Sequence, residues 1–283
     1  MLFFMHKTAM IDVFSIIQYG LNEDIGTGDI TTDYLQLGNQ ETQAFLVAKQ
    51  RGVLAGLDVA FDVFTYLDNQ VNCVTYRKDG DTVNPGDEIA KITGLTSALL
   101  QAERTALNIL QRLSGIATCT SKMVEAIKPY QARLLDTRKT TPLLRQLERY
   151  AVRVGGGFNH RFGLYDMVLI KENHIRAVGS ITEAVKRVWE RNTAYRIEVE
   201  VTTIAELEEA VTSGVDRVML DNMSVAEMKK AVKKFGEQVE LEASGNVSLD
   251  TINEIASTGV FYISSGAITH SFTSLDISLL FKE

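Results

Sequence analysis

The chain has 283 residues, 45% hydrophobic and 23% charged, with a formal net charge of −7 at pH 7. That is enough apolar material for a substantial core in one large domain or two of ordinary size. The acidic balance argues against a nucleic-acid partner unless basic residues are segregated on one face, because phosphate neutralisation supplies most non-specific affinity.

The opening MLFFMHKTAM is apolar for about five residues and lacks the core and cleavage site of a signal peptide. No run approaches the roughly 18 apolar residues of a spanning helix, so a cytoplasmic protein without a membrane partner is expected. Thr42–Leu54 and Val71–Lys91 predict short strands broken by RGVLAG and RKDGDTVNPGDEIAKITG. Thr96–Leu113 predicts a helix, since Leu99, Leu100, Ala106, Leu107, Leu110 and Leu113 recur at helical spacing, with Thr96 or Ser97 as N-cap and Gly115 as terminator. Cys73 and Cys119 are far apart, so neither a disulfide framework nor a cysteine metal site is implied. Residues 1–115 read as an α+β sandwich domain.

From 116 to 269 the texture changes. Strand-like runs at Arg133–Thr137, Met167–Ile170, Arg196–Val201, Arg217–Leu220, Val239–Ala243 and Phe261–Ser264 alternate with helical stretches, among them Ile181–Arg191, Ile204–Thr212, Val225–Lys234 and Leu249–Ser257. One more strand is conceivable near Thr118–Ala126. A doubly wound sheet concentrates its chemistry at one switch point, whereas here nearly every strand ends in a reactive residue, which favours an incomplete parallel α/β barrel. The C-terminal segment of about 270–283 is expected to pack back on the first domain.

Those strand ends carry the chemistry. Leu135–Asn173 gathers Arg138, Lys139, His160, Arg161 and Lys171, the residue set for gripping a small polyanion; the competing reading is a solvated basic face. Arg138 and Lys139 follow the apolar Leu134-Leu135, and Lys171 follows Met167–Ile170, so the cations sit where two buried strands end. Ser244-Gly245-Asn246 and Ser264-Ser265-Gly266-Ala267 each precede a helical stretch, where glycine lets backbone N–H groups close on a phosphate. Alone each is compatible with an ordinary turn; as a pair late in the chain they point to phosphate. Glu200 and Asp221, on neighbouring strands, suit magnesium shared with a diphosphate or stabilisation of positive charge on a sugar, against the alternative of structural salt bridges.

EDIGTGDITT (Glu23–Thr32), the run Asp136–Ile175, EVEV (Glu198–Val201), VMLDNM (Val218–Met223), EASGNV (Glu242–Val247) and ISSGAITHS (Ile263–Ser271) together resemble the quinolinate phosphoribosyltransferases, also called nicotinate-nucleotide pyrophosphorylases (carboxylating). The resemblance spans nearly the whole chain, in order. It implies conversion of quinolinate and phosphoribosyl pyrophosphate to nicotinate mononucleotide, carbon dioxide and pyrophosphate, with Mg2+, in NAD biosynthesis. It also implies a homodimer of two-domain subunits, each site being completed by the neighbour.

On the residues that match, the resemblance implies that Arg138, Lys139, His160, Arg161 and Lys171 surround the two quinolinate carboxylates, with Arg104 arriving from the partner's N-terminal domain. Glu200 and Asp221 would face the ribose and magnesium-bound pyrophosphate. Ser244, Gly245 and Asn246, with Ser265 and Gly266, would bind phosphate. Lys139 and Lys171 join Glu200 and Asp221 as the residues expected to take part in the chemistry. His174 and His270 are expected to be structural, and Asp24 and Asp29 to form Asx turns or domain contacts.

One departure from the family pattern follows ISSGAITHS, where Phe272 and Thr273 stand in place of a small residue and proline. Three other readings compete. A ModD-like phosphoribosyltransferase paralogue would share the fold but take another substrate. A Schiff-base aldolase would use Lys171. A biotinyl or lipoyl carrier would use RKDGDTVNPGDEIAKITG, although Lys78 and Lys91 are poorly placed for a hairpin tip. The GGGFNHR run and the EDIGTGD opening favour the quinolinate enzyme.

Overall fold

The computed structural model describes residues 12–191 and 194–282. The opening segment, where no signal peptide is expected, lies outside the described residues.

In chain order, α1 (Val13–Ile25), α2 (Ile30–Leu35), β1 (Glu41–Ala48), β2 (Gly52–Val53), α3 (Leu57–Leu67), β3 (Asn72–Thr75), β4 (Thr82–Val83) and β5 (Glu88–Leu95) lead into α4 (Thr96–Ile127). Then come β6 (Arg133–Leu135), α5 (Arg145–Val154), β7 (Val168–Ile170), α6 (Glu172–Val178), α7 (Ile181–Trp189) and β8 (Ile197–Val201). The remainder is α8 (Ile204–Thr212), β9 (Arg217–Asp221), α9 (Val225–Phe235), β10 (Glu240–Ser244), α10 (Ile252–Ala256), β11 (Tyr262–Ser264), α11 (Ala267–His270) and β12 (Ile277–Lys282). Among the described residues no helix is long and apolar enough to cross a membrane.

The chain divides into two compact units. The first combines the described residues up to Thr118 with Pro142–Val154 and the segment from Thr273 onward. Its sheet has the order β12-β1-β5-β3 and is antiparallel throughout. Ala44, Leu46 and Ile92 from the sheet bury against Ile17 and Leu21 of α1, Phe64 of α3, and Leu99 and Leu110 of α4. Lys91 pairs with Phe45 on one side and Val74 on the other, a central-strand position that no carrier lysine could use. The RKDGD turn has a different purpose: the Asp79 carboxylate accepts from the backbone N–H groups of Gly56 and Leu57 (2.7 and 3.1 Å), capping α3, and from the Tyr150 hydroxyl (2.7 Å).

Helix α4 corrects one expectation. Gly115 does not end it, and Thr118–Ala126 is helix rather than strand. A glycine within a helix costs about 1 kcal/mol. Leu113, Ile116, Ala117 and Met123 are buried around it, and burial of even one large aliphatic side chain contributes more than that.

The second unit, Cys119–Thr141 with Gly155–Phe272, is built on a six-stranded parallel sheet of order β6-β11-β10-β9-β8-β7. The end strands β6 and β7 are not paired with each other, so the barrel is incomplete, as expected; Phe158 makes a single parallel bridge to Leu135 of β6. The strands are buried almost continuously, as in parallel sheets covered on both faces. Short connections follow from local capping chemistry. Thr203 and Glu206 form a capping box at the start of α8, and Ser224 and Glu227 do so at α9, each within three residues of a strand end.

Candidate active site

Because side chains alternate along a strand, fixing one residue at the carboxyl end of each strand also fixes the residue two places before it. Lys171 lies two beyond Leu169, Glu200 two beyond Glu198, Asp221 two beyond Met219, Ser244 two beyond Glu242 and Ser264 two beyond Tyr262. In the second unit a pocket of about 860 Å3 opens over these ends. Its wall includes Arg138, Lys139, His160, Arg161, Lys171, Glu200, Asp221, Ser244, Gly245, Asn246, Ser265 and Gly266, so twelve of the thirteen residues expected in the site lie around one cavity. The thirteenth, Arg104, is exposed on α4 in the first unit.

The cations are held from several directions. The buried Asp136 carboxylate accepts from the backbone N–H of His160 (2.8 Å) and from the Asn159 amide, which fixes the turn that presents His160 and Arg161. Arg161 is mostly buried and donates to the Met167 carbonyl (3.3 Å). Burial and the neighbouring Arg138 push its pKa down, the signature of like charges crowded where an anion would relieve them. The Lys139 carbonyl accepts from Thr269 Oγ1 (2.8 Å), tying the Arg138-Lys139 loop to the last strand end. Lys171 Nζ pairs with Glu200 Oε2.

Glu200 and Asp221 occupy the ends of adjacent parallel strands. Burial and then repulsion from Glu200 raise the Asp221 pKa, opposed by a hydrogen bond from Asn222 and by Lys171 and Lys139. The Glu200 and Asp221 carboxylates together offer a hard-oxygen donor pair suited to a magnesium ion, and they fit that group.

Beneath the pocket lies a charged layer. His160 Nε2 is 3.0 Å from Glu198 Oε2 and 3.5 Å from Glu242 Oε2, both carboxylates fully buried. Arg217 reaches Glu242 at 3.2 Å and stacks on the Tyr262 ring at 3.8 Å. Burial alone would lower the His160 pKa, but the two carboxylates raise it to about 10. The Arg161 N–H, 2.7 Å from Nδ1, opposes a second proton there; two charged acceptors outweigh one neutral donor, so the shift is upward. Burial and the charge on Glu242 raise the Glu198 pKa, whereas for Glu242 burial is overcome by the neighbouring His160, Ser264 and Arg217. His160, Glu198 and Glu242 are near enough to hold a metal ion. Arg217, shared between Glu242 and Glu240, brings a fixed positive charge to the same layer.

The phosphate-type loops differ in what they offer. Gly245 has φ +94° and Asn246 φ +51°, left-handed conformations that curl the loop after β10. Ser265 directs its hydroxyl to the Val247 carbonyl (2.9 Å) and its N–H to the Leu135 carbonyl (3.0 Å), so both of its donors serve the scaffold. His174 accepts from the Lys171 backbone N–H (2.9 Å), whereas His270, expected to be structural, stands on the pocket wall. Thr137 and Ser248 also line the pocket without having been singled out from the sequence, as does Asn222 of the VMLDNM strand end, to which no individual role was given. Asp136, Glu198, Arg217 and Glu242 were missed as well. Counting back two residues from each strand end would have found Glu198 and Glu242.

The chain matches the family model for the C-terminal domain of quinolinate phosphoribosyl transferase over residues 116–280 and that for its N-terminal domain over residues 29–114. It is 46% identical over 260 residues to the probable nicotinate-nucleotide pyrophosphorylase (carboxylating) of Bacillus subtilis, covering 91% of this chain and 89% of that one. It is 45% identical over 268 residues to the protein of the same name from Synechocystis sp., covering 93% and 90%. The solved structure of the nicotinate-nucleotide pyrophosphorylase from Francisella tularensis superposes with a TM-score of 0.92 at 42% identity, covering 95% of this chain and 96% of that one.

Proposed function

The chain belongs to the quinolinate phosphoribosyltransferase family, and from that membership we propose how its pocket carries out the reaction. The enzyme transfers the phosphoribosyl group of phosphoribosyl pyrophosphate to quinolinate with decarboxylation, giving nicotinate mononucleotide, carbon dioxide and pyrophosphate in NAD biosynthesis.

The observation that carries the assignment of roles is the convergence of four cationic side chains and two carboxylates over one set of parallel strand ends. Arg138, Lys139, Arg161 and Lys171 bind the two quinolinate carboxylates, and His160 adds positive charge from beneath. Bidentate guanidinium contacts hold the pyridine ring so that its nitrogen faces the anomeric carbon. The loop Ser244–Asn246 binds phosphate, as does Gly266 in the turn that Ser265 anchors to the scaffold.

The pyridine nitrogen forms its bond to the anomeric carbon as the bond to pyrophosphate breaks, and pyrophosphate leaves with the electron pair. Glu200 and Asp221 stabilise the positive charge that develops on the ribose. The same two carboxylates would hold Mg2+, which would supply charge neutralisation on the diphosphate. The bond from the ring to its C2 carboxylate then breaks; its electrons stay on the carbon beside the quaternised nitrogen, carbon dioxide departs, and a proton from solvent completes the product. Lys139 and Lys171 keep positive charge beside the ring, where it favours the negative charge that develops on that carbon, and hold the carboxylate that remains.

The working unit is a homodimer in the cytoplasm, in which Arg104 of one subunit completes the partner's pocket. Incubating the protein with quinolinate, phosphoribosyl pyrophosphate and magnesium tests the assignment. Equimolar nicotinate mononucleotide and pyrophosphate should form, and chelation of divalent cations should stop them; absence of the nucleotide would refute it. A ModD-like substrate range is not favoured by relatives named for the quinolinate reaction.

A further inference from the structure

We propose that Asn222 is a positioning residue that yokes the Asp221 carboxylate to the phosphate loop Ser244–Asn246, holding the two ends of one substrate in register. This rests on the roles given above to Asp221 and that loop.

Asn222 follows β9 directly and has φ +54°, a left-handed conformation that asparagine tolerates better than most residues. Tolerance of the turn would explain an asparagine whose amide faced solvent. This amide is hydrogen-bonded on both sides. Its Nδ2 donates to Asp221 Oδ2 (3.0 Å), and its Oδ1 accepts from Asn246 Nδ2 (3.1 Å). Only this orientation of the amide satisfies both neighbours, because the flipped one would set a carbonyl oxygen against a carboxylate and an NH2 against an NH2. The Asn222 backbone N–H also donates to the Ser244 carbonyl (2.9 Å), continuing the pairing of Asp221 with Ser244 at the ends of β9 and β10.

The loop opposite is shaped around this side chain. A Cβ on Gly245 would collide with the Asn222 amide and lie 3.0 Å from its backbone nitrogen. Gly245 therefore permits a hydrogen-bonded line from Asp221 through Asn222 to Asn246, linking loops more than twenty residues apart. Asn222 and Asn246 are exposed, so such bonds contribute little to folding. What they fix is direction: which way the Asp221 carboxylate and the Asn246 amide face in a solvent-filled pocket.

Asn222→Gly tests this, since glycine accepts the left-handed backbone and only the amide is removed. The melting temperature should stay within about two degrees of the parent. The calorimetric Kd and the steady-state KM for phosphoribosyl pyrophosphate with magnesium should rise roughly tenfold, equivalent to about 1.4 kcal/mol, while KM for quinolinate is unchanged. Asn246→Gly should also weaken phosphoribosyl pyrophosphate. The double variant should weaken it by less than the product of the two factors, because the second substitution removes a partner already lost. Parent-like values in Asn222→Gly, or factors that simply multiply, would overturn the inference while leaving the site reading intact. If Asn246→Gly and Asp221→Asn also left phosphoribosyl pyrophosphate binding unchanged, the site reading itself would fall.

Discussion

His160 Nε2 stands 3.0 Å from Glu198 Oε2, at the boundary between a solvent-filled pocket and a fully buried carboxylate pair. Here a charge needed at the pocket floor is held in place by charges that solvent does not reach.

This contact makes stability depend on pH in a defined window. The folded His160 pKa, about 10, lies above its ordinary value of 6.5. Its contribution is therefore complete below pH 6.5 and is lost as pH rises towards 10. Chemical denaturation of the wild type should show stability falling across that interval, and His160→Gln should flatten the fall. An equal slope in both would remove the charged imidazole from the account.

The acidic pair above it should behave differently. Glu200→Gln and Asp221→Asn remove charge that acts on the ribose and its magnesium-bound diphosphate, so kcat should drop by roughly a hundredfold or more and phosphoribosyl pyrophosphate should bind less tightly, while KM for quinolinate changes little. Lys139→Ala should impair both. Near wild-type kcat in the two carboxamide variants would mean that these carboxylates are structural.

Much of the second unit was legible in the sequence because parallel strands advertise themselves as short apolar runs ending in polar residues. All six expected strands formed within a residue or two of their limits, and residues at or just beyond their carboxyl ends meet at one pocket. What was not legible depended on tertiary packing. Gly115 looks like a terminator locally, yet the buried residues around it carry α4 onward. Glu198, Arg217 and Glu242 look like ordinary charges in amphipathic strands until the sheet curls and brings them under His160. Asn222, visible in VMLDNM at a strand end, has no legible role there because its partner, Asn246, comes from the next strand's loop.

In the first unit, Arg112 donates to the buried Glu148 carboxylate at 2.6 and 3.0 Å. Arg112→Ala leaves a buried carboxylate without this partner and should cost about 3 kcal/mol in denaturant unfolding. Adding Glu148→Gln should recover part of that loss, since the amide carries no charge. No recovery would indicate that Arg112 stabilises by packing alone.

Sharing of sites between subunits is tested by complementation. Arg104→Ala and Lys139→Ala should each be nearly inactive alone. A randomly reassociated equal mixture should regain about a quarter of wild-type activity, because about half of its dimers are mixed and one of the two pockets in each carries neither substitution. If subunit exchange is demonstrated and no activity returns, Arg104 does not act across the interface.

The central claim is that this pocket is built for two carboxylates on one ring, and the most direct measurement is kcat/KM for quinolinate against nicotinate. Nicotinate lacks the second carboxylate and would leave desolvated cations among Arg138, Lys139, Arg161 and Lys171 unmatched, so quinolinate should be preferred by at least about a thousandfold. Comparable values for the two acids would contradict the account.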